Sequence, residues 1–137
     1  MNDYGFGTRC VHAGQETPDS ATGARAPPIY QTSSYVFEDA ETAADRYALE
    51  DDGNVYSRFD NPTVRMLETR LASLEGAADA VATGSGMAAL DAATTVLASA
   101  GDNVVTASSI YGGTHSYYGN TASRRGIETR FVDTLDP

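Results

Sequence analysis

The chain has 137 residues, of which 41% are apolar, and this suits one globular domain with a core of its own. All nine basic residues are arginine, nineteen residues are acidic, and the net charge of -10 at pH 7 argues against a general role on nucleic acids or anionic membranes. An acidic surface without lysine is also typical of proteins adapted to high salt.

The sequence gives no sign of a metal site, an export signal or a membrane span. Its single cysteine, Cys10, cannot form an internal disulfide, and His12 and His115 have no partners at metal-ligand spacing. The opening MNDYGFGTRC lacks the apolar centre of a signal peptide, and no run approaches the ~20 apolar residues of a membrane span. These features predict a soluble cytoplasmic protein without a bound metal.

The first third of the chain is predicted to be an extended arm followed by a short helix. Residues 1–35 are rich in glycine, proline, threonine and serine and have no sustained hydrophobic period. Tyr35–Phe37 is a candidate short strand. The following EDAETAADRYALE has helical composition, with Asp39 as a suitable N-cap.

A stronger helix signal begins at Asn61. Asparagine is a good N-cap, Pro62 suits the first helical position, and Gly76 is a typical end. Between them, apolar residues recur at spacings of three, four and three: Val64, Leu67, Leu71 and Leu74.

From residue 78 onward the pattern alternates between strands and helices. Parallel strands joined by right-handed crossovers are therefore expected, in an α/β domain. A sheet of only three strands would be poorly covered, so we expect this chain to be the front part of a longer one. The predicted elements are a strand at 78–83, a helix at 87–99 closed by Gly101, a strand at 103–107, a helix near 115–123 with a break at Gly126, and a strand at 129–132.

The turn TGSGMAA, where the first of these strands meets a helix, is a candidate anion site. Backbone N–H groups and the positive end of the helix dipole favour an anion there, and Gly84 and Gly86 allow close approach. The pattern also fits a dinucleotide turn, but Asp102 precedes the next strand instead of following it. A serine nucleophile elbow fails because Thr83 stands where glycine is required. A helix start that binds nothing remains equally open.

Three further side chains are candidates for ligand binding. Tyr56 and Arg58 stand two apart, so in an extended segment both would point the same way and hold one phosphate. The alternative, favoured when these residues are taken alone, is that Arg58 pairs with Asp60 or another surface acid and Tyr56 is half-buried. Tyr111, just before Gly112–Gly113, either exposes its ring to a flat aromatic ligand or is an ordinary core tyrosine.

Five motifs stand out in chain order: TRCVHAG at Thr8–Gly14, PPIYQTSSYVFED at Pro27–Asp39, YSRFDNPT at Tyr56–Thr63, GSGMAA at Gly84–Ala89 and GDNVVTASSIYGGT at Gly101–Thr114. Together they resemble the pyridoxal phosphate (PLP) enzymes of the cysteine and methionine metabolism family, the trans-sulfuration enzymes, and the resemblance covers nearly the whole chain. Within the family, the runs TGARAPPIYQTSSYVFEDAETAADRYAL and SSIYGGTHSYY look most like the O-acetylhomoserine sulfhydrylase branch, with cystathionine γ-synthase and γ-lyase as close relatives.

The resemblance implies an α/β architecture of the PLP-dependent transferase type, the aspartate aminotransferase type or fold type I. Residues 1–50 would form the N-terminal arm and a short helix. Residues 51–137 would form the first, incomplete part of the large cofactor-binding domain with its parallel strands. The complete enzyme would be a homodimer or a homotetramer.

The resemblance also implies roles for five residues. Tyr56 and Arg58 would reach across a subunit interface to the phosphate of the partner's cofactor. The backbone of Gly86 and Met87 would bind the phosphate of the chain's own cofactor. Tyr111 would stack on the pyridine ring, and it would transfer protons if nearby cations lowered its phenol pKa from about 10.

The implied reaction is a PLP-dependent γ-replacement on a small amino-acid substrate. O-acetyl-L-homoserine and sulfide or a thiol would give homocysteine or methionine plus acetate. The family requires a lysine, and this chain has none. We therefore expect an N-terminal fragment that is inactive alone, whether truncated, encoded by a split gene or decayed. A non-catalytic interaction module is an alternative, and a dinucleotide-binding domain is a weaker one.

Overall fold

The chain divides into two compact units, Met1–Ala82 and Thr83–Pro137. The computed structural model describes residues 4–133. The assignment of residues 1–50 to an arm and a short helix, and of residues 51–137 to a cofactor-binding domain, stays a prediction. No helix in the described range is long and apolar enough to cross a membrane.

The first unit begins with helix α1, Phe6–His12, in a region predicted to be extended throughout. The helix packs on a later helix, Pro62–Glu75 (α3), where Arg9 donates to the carbonyl of Ser73. Just after it, the buried Ala13 offers its carbonyl to Arg70 Nε at 2.9 Å. The prediction was wrong here because these distant contacts hold a segment whose composition alone favours no helix.

Helix α2 spans Ala40–Tyr47 and begins where the sequence predicted. Asp39 caps it, since its carboxylate oxygen accepts from the amide of Thr42 at 2.8 Å. The strand predicted immediately before it is absent. Only an isolated antiparallel bridge between Ser34 and Tyr56 is formed there, and Val36 is 95% exposed. A short apolar run becomes a strand only where a neighbouring strand pairs with it.

Helix α3 spans Pro62–Glu75 and confirms the prediction at both ends. The side chain of Asn61 accepts from the amide of Thr63 at 2.9 Å, and Gly76 ends the helix in the left-handed conformation at φ 68°. Ala72 is buried, but the apolar stripe around it is only partly covered within this chain. Three of its members stay 40–47% exposed: Val64, Leu67 and Leu71.

The second unit contains a crossover between two parallel strands. Strands β1 (Asn103–Ala107) and β2 (Glu128–Val132) pair in parallel, with Asn103 opposite Glu128 and Ala107 opposite Val132. This confirms the predicted parallel pairing, and the predicted break at Gly126 is a left-handed turn at φ 81°. The elements are α4 (Gly86–Leu97), β1 (Asn103–Ala107), α5 (Gly112–Ser116), a π-helix (Tyr117–Ala122) and β2 (Glu128–Val132).

The strand predicted at 78–83 is not formed, so the sheet within residues 4–133 has two strands instead of three. Val81 is 83% exposed. The amide of Ala82 donates to Glu68 Oε1 at 2.7 Å, where a strand would have paired with a neighbouring strand. Parallel strands are normally buried on both faces, and this apolar run has no sheet to join here.

The core of the second unit is small. Ala122 and Ile127 are buried together with the ring of Tyr117, and partly buried side chains of α4 and β1 pack against them. In the described residues no large side chain is completely buried.

Candidate functional site

Tyr56 and Arg58 lie in a tight turn directly before α3. The carbonyl of Tyr56 accepts from the amides of Phe59 at 2.8 Å and Asp60 at 3.1 Å. The extended segment assumed for these residues is therefore wrong. Their side chains nevertheless meet, because the guanidinium carbon of Arg58 lies 5.5 Å from the ring centre of Tyr56 and 5.4 Å from that of Phe59.

The guanidinium of Arg58 has no carboxylate partner among residues 4–133. The alternative pairing with Asp60 is absent, whereas four other arginines form ion pairs: Arg46, Arg65, Arg125 and Arg130. In a chain with nineteen acidic residues, an exposed arginine that contacts two rings keeps its planar donors available for an external anion.

Ser57, between the two candidate residues, fastens the turn to the preceding arm. Its amide donates to the carbonyl of Ser33 at 3.0 Å, its hydroxyl donates to the carbonyl of Thr32, and it accepts from Asn61 Nδ2 at 2.9 Å. Sequence reasoning missed Ser57 and treated Asn61 only as a helix cap. The sequence did contain one signal for this role. A helix cap uses only the side-chain oxygen of asparagine, so its NH₂ group needs acceptors elsewhere.

At the start of α4, two backbone amides have no acceptor among the described residues. Ser85 Oγ accepts from the amide of Ala88 at 3.1 Å, and its carbonyl accepts from Ala89 at 3.0 Å. A helix supplies no partners for its first amides, so those of Gly86 and Met87 remain. A side chain built on Gly86 would meet nothing within 4 Å, which leaves open space at the positive end of the helix dipole. This donor set fits a phosphate.

Tyr111 precedes α5 and exposes 75% of its surface, so it is not the core tyrosine that the alternative reading supposed. Its carbonyl accepts from the amide of His115 at 2.9 Å. A side chain built on Gly113 would lie 2.6 Å from Tyr111 Cε1, so the glycine lets the ring fold over the helix start. Tyr111 thus presents a flat aromatic ring within the second unit.

A polar network that the sequence did not reveal links α4 to the π-helix. The hydroxyl of Tyr117 donates to Asp91 Oδ1 at 2.7 Å, and Arg125 reaches the same oxygen at 2.5 Å. The hydroxyl first, and the guanidinium second, hold the pKa of Asp91 below its ordinary value. Burial and the neighbouring Asp91 raise the pKa of Tyr117. The hydrogen-bonding groups of these three side chains already bond to one another, so the network stabilises the second unit.

The first unit also contains a groove of about 820 Å³ beside the Arg58 turn, which the sequence did not predict. Leu49, which lines the groove, is 90% exposed and has a left-handed backbone at φ 60°. Positively and negatively charged side chains line the groove together with apolar ones: Arg46, Tyr47, Leu49, Phe59, Asp60 and Arg65.

A family model described as Cys/Met metabolism PLP-dependent enzyme matches residues 7–137. The chain belongs to this family. The match confirms the resemblance seen in the five motifs.

Curated relatives in the Cys/Met metabolism family agree with the motifs of the sulfhydrylase branch. The chain is 51% identical over 135 residues to the O-acetyl-L-homoserine sulfhydrylase of Corynebacterium glutamicum, covering 98% of this chain and 31% of the relative. It is 52% identical over 127 residues to O-acetyl-L-homoserine sulfhydrylase 1 of Thermus thermophilus, covering 93% of this chain and 30% of that relative. The chain thus spans about three tenths of the length of these relatives.

A solved structure confirms the predicted PLP-dependent transferase fold. The chain superposes with a TM-score of 0.89 on a crystal structure described as an O-acetylhomoserine (thiol)-lyase of Campylobacter jejuni, with 40% identity. The match covers 98% of this chain and 32% of that one. That structure contains N'-pyridoxyl-lysine-5'-monophosphate, which agrees with PLP as the cofactor of the family.

Proposed function

We propose that this chain supplies phosphate-binding residues to a PLP-dependent O-acetyl-L-homoserine sulfhydrylase. The observation that carries the proposal is the exposed guanidinium of Arg58, held against two rings and without a carboxylate partner in the described residues. Arginine binds phosphate through a fixed fork of donors, and the hydroxyl of Tyr56 adds a further donor beside it.

Two groups of donors would serve two cofactors. The amides of Gly86 and Met87, at the positive end of α4, bind the phosphate of the chain's own cofactor. Tyr56 and Arg58 bind the cofactor phosphate of a second copy. This arrangement requires a homodimer or a homotetramer, because each site then draws donors from two copies.

Tyr111 would orient the cofactor and handle protons. Its exposed ring stacks on the pyridine ring, and its hydroxyl oxygen holds or passes a proton close to the substrate. When bound, PLP supplies the electron withdrawal that makes γ-replacement possible. In that reaction O-acetyl-L-homoserine and hydrogen sulfide give homocysteine and acetate, whereas a thiol such as methanethiol gives methionine and acetate.

The lysine that the family requires would come from another segment of the complete enzyme. All nine basic residues of this chain are arginine, so no side-chain amine is present to hold PLP covalently. We therefore infer that the chain acts as part of a longer enzyme and is inactive alone. We place that enzyme in the cytoplasm, because the single Cys10 is exposed and unpaired.

The test uses a chimera in which this entire chain replaces the matching segment of the C. glutamicum sulfhydrylase. Arg58→Ala should weaken PLP binding by about 1.5 to 3 kcal/mol, or roughly 10- to 150-fold, because a charge-assisted contact to the phosphate is lost. Pyridoxal, which lacks the phosphate, should bind the parent and the variant equally. The measurement is a fluorescence titration with each compound.

Arg124→Ala is the matched control, because it removes the same charge at another exposed position. It should leave both affinities unchanged. Equal PLP affinity in the parent chimera and in Arg58→Ala would remove Arg58 from the phosphate site. A folded chimera that binds no PLP would contradict the proposal as a whole.

A further inference from the structure

Asn61 does more than cap α3. It is buried, with 6% of its surface exposed, and its side-chain oxygen accepts from the amide of Thr63 at 2.9 Å. Its nitrogen lies 3.0 Å from the carbonyl of Tyr30, 2.9 Å from Ser57 Oγ and 3.3 Å from the hydroxyl of Tyr35. The side chain therefore connects the helix, the arm and the Arg58 turn.

Helix capping alone does not account for an amide at this position. Serine and aspartate cap as well as asparagine, since a cap needs only an acceptor oxygen. What asparagine adds is an NH₂ group with two donors. At Asn61 those donors face three acceptors that belong to other segments of the chain.

The contact with Ser57 has the most direct consequence for the candidate site. Ser57 lies between Tyr56 and Arg58, and two further hydrogen bonds fix it to the carbonyls of Thr32 and Ser33. Holding Ser57 therefore holds the short backbone from which both candidate phosphate-binding side chains project.

The arm is fastened to the same helix start by a second residue. Thr63 Oγ1 accepts from the amide of Tyr30 at 2.9 Å and donates to the carbonyl of Pro28 at 3.3 Å. With Asn61 this forms one latch that joins the arm, the turn and the first turn of α3.

We propose that Asn61 is a positioning residue for the cofactor phosphate, acting through Ser57 to keep Tyr56 and Arg58 in their binding orientation. The proposal rests on the proposed function, which gives Arg58 a phosphate to bind. Exposed side chains bind an anion tightly only when their backbone is fixed beforehand, because the binding energy is otherwise spent on ordering them.

The experiment compares Asn61→Ser with the parent chimera. Serine keeps a capping oxygen but lacks the nitrogen, so α3 is retained while the bond to Ser57 is lost. We expect PLP affinity to fall about tenfold, because binding must then order side chains that are no longer held in place, with pyridoxal affinity unchanged. Amide hydrogen exchange of residues 56–60 should become faster, since the turn loses its anchor.

A double-mutant cycle separates positioning from general destabilisation. In the Arg58→Ala background, Asn61→Ser should have a much smaller effect on the ratio of PLP to pyridoxal affinity, because the charged one of the two side chains that it positions is gone. Ser57→Ala is the second variant. It removes the acceptor on the turn, leaves the cap intact, and should reproduce the loss of PLP affinity even if Asn61→Ser fails to fold.

Two results would overturn the proposal. One is that Asn61→Ser and Ser57→Ala lower the affinities for PLP and for pyridoxal equally. The other is that Asn61→Ser changes the ratio of PLP to pyridoxal affinity as much in the Arg58→Ala background as in the parent. These outcomes are distinct from failure of the proposed function. If Arg58→Ala changes the affinity ratio and Asn61→Ser does not, only the positioning role is rejected. If Arg58→Ala itself has no effect, the phosphate role of Arg58 is rejected.

Discussion

Replacing Ser85 by aspartate separates the stability of α4 from its capacity to bind an anion. Ser85 Oγ accepts from the amide of Ala88 at 3.1 Å, and an aspartate at this position can accept the same bond. We therefore expect Ser85→Asp to keep the stability of the parent within about 0.5 kcal/mol. Ser85→Ala loses the acceptor and should cost about 1 kcal/mol, because Ser85 is exposed and water partly replaces the bond.

The two variants should rank in the opposite order for PLP binding. The new carboxylate of Ser85→Asp stands next to the amides of Gly86 and Met87. Two unit charges roughly 5 Å apart repel by about 1 to 3 kcal/mol at the dielectric constants of a protein surface. PLP affinity should then fall roughly 5- to 150-fold. Ser85→Ala leaves both amides in place and should stay within about threefold of the parent.

Urea unfolding and PLP titration of the chimera measure the two effects separately. Asp39→Ala is the control, because it removes the cap of α2, where the carboxylate accepts from Thr42 at 2.8 Å. It should lower stability and leave PLP affinity unchanged. If Ser85→Asp binds PLP as tightly as the parent, the start of α4 is not an anion site and the reasoning fails.

Two further predictions concern stability. Gly14 and Gly23 both have left-handed backbones, at φ 80° and 70°. Only at Gly14 would an added side chain meet a backbone carbonyl oxygen, that of Met66 at 2.6 Å. Gly14→Ala should therefore lower the free energy of unfolding in urea by about 1 to 3 kcal/mol more than Gly23→Ala. The hydroxyl of Tyr117 and the guanidinium of Arg125 lower the pKa of Asp91 from 3.8, so its stabilising contribution is complete above that value and is lost as pH falls through the lower folded pKa. Asp91→Asn should flatten the acid limb of stability against pH, and an unchanged limb would contradict this.

Local signals accounted for the elements that the sequence predicted correctly. Asn61 and Pro62 define the start of α3, and Gly76 defines its end, through interactions within a few residues. Strand Asn103–Ala107 and the break at Gly126 were likewise confirmed. The ends of α3 and the break at Gly126 depend on their own residues or near neighbours, which a single sequence contains. Strand Asn103–Ala107 also needs its distant partner Glu128–Val132, which the sequence predicted as a strand as well.

The errors arose where distant segments decide the structure. The helix Phe6–His12 depends on contacts with α3, more than 50 residues away. The run at 78–83 is not a strand, because a parallel strand needs neighbours that the described residues do not provide.

The candidate site likewise contains parts that local sequence patterns predicted and parts that they did not. The helix start at Gly86 and Met87 follows from a local turn-and-helix pattern, and the sequence identified it. Arg58 was a candidate from the sequence too, but on the assumption of an extended backbone that is actually a turn. The bond between Asn61 and Tyr30 joins residues 31 apart, so no local pattern reveals the latch.

A crystal structure of the chimera with PLP would test most directly whether the start of α4 and the Arg58 turn bind the same kind of ligand. The account predicts cofactor phosphate oxygens about 2.7 to 3.2 Å from the amide nitrogens of Gly86 and Met87, and at similar distances from the guanidinium of Arg58 of a second copy. A phosphate bound elsewhere, with Arg58 directed into solvent, would contradict it.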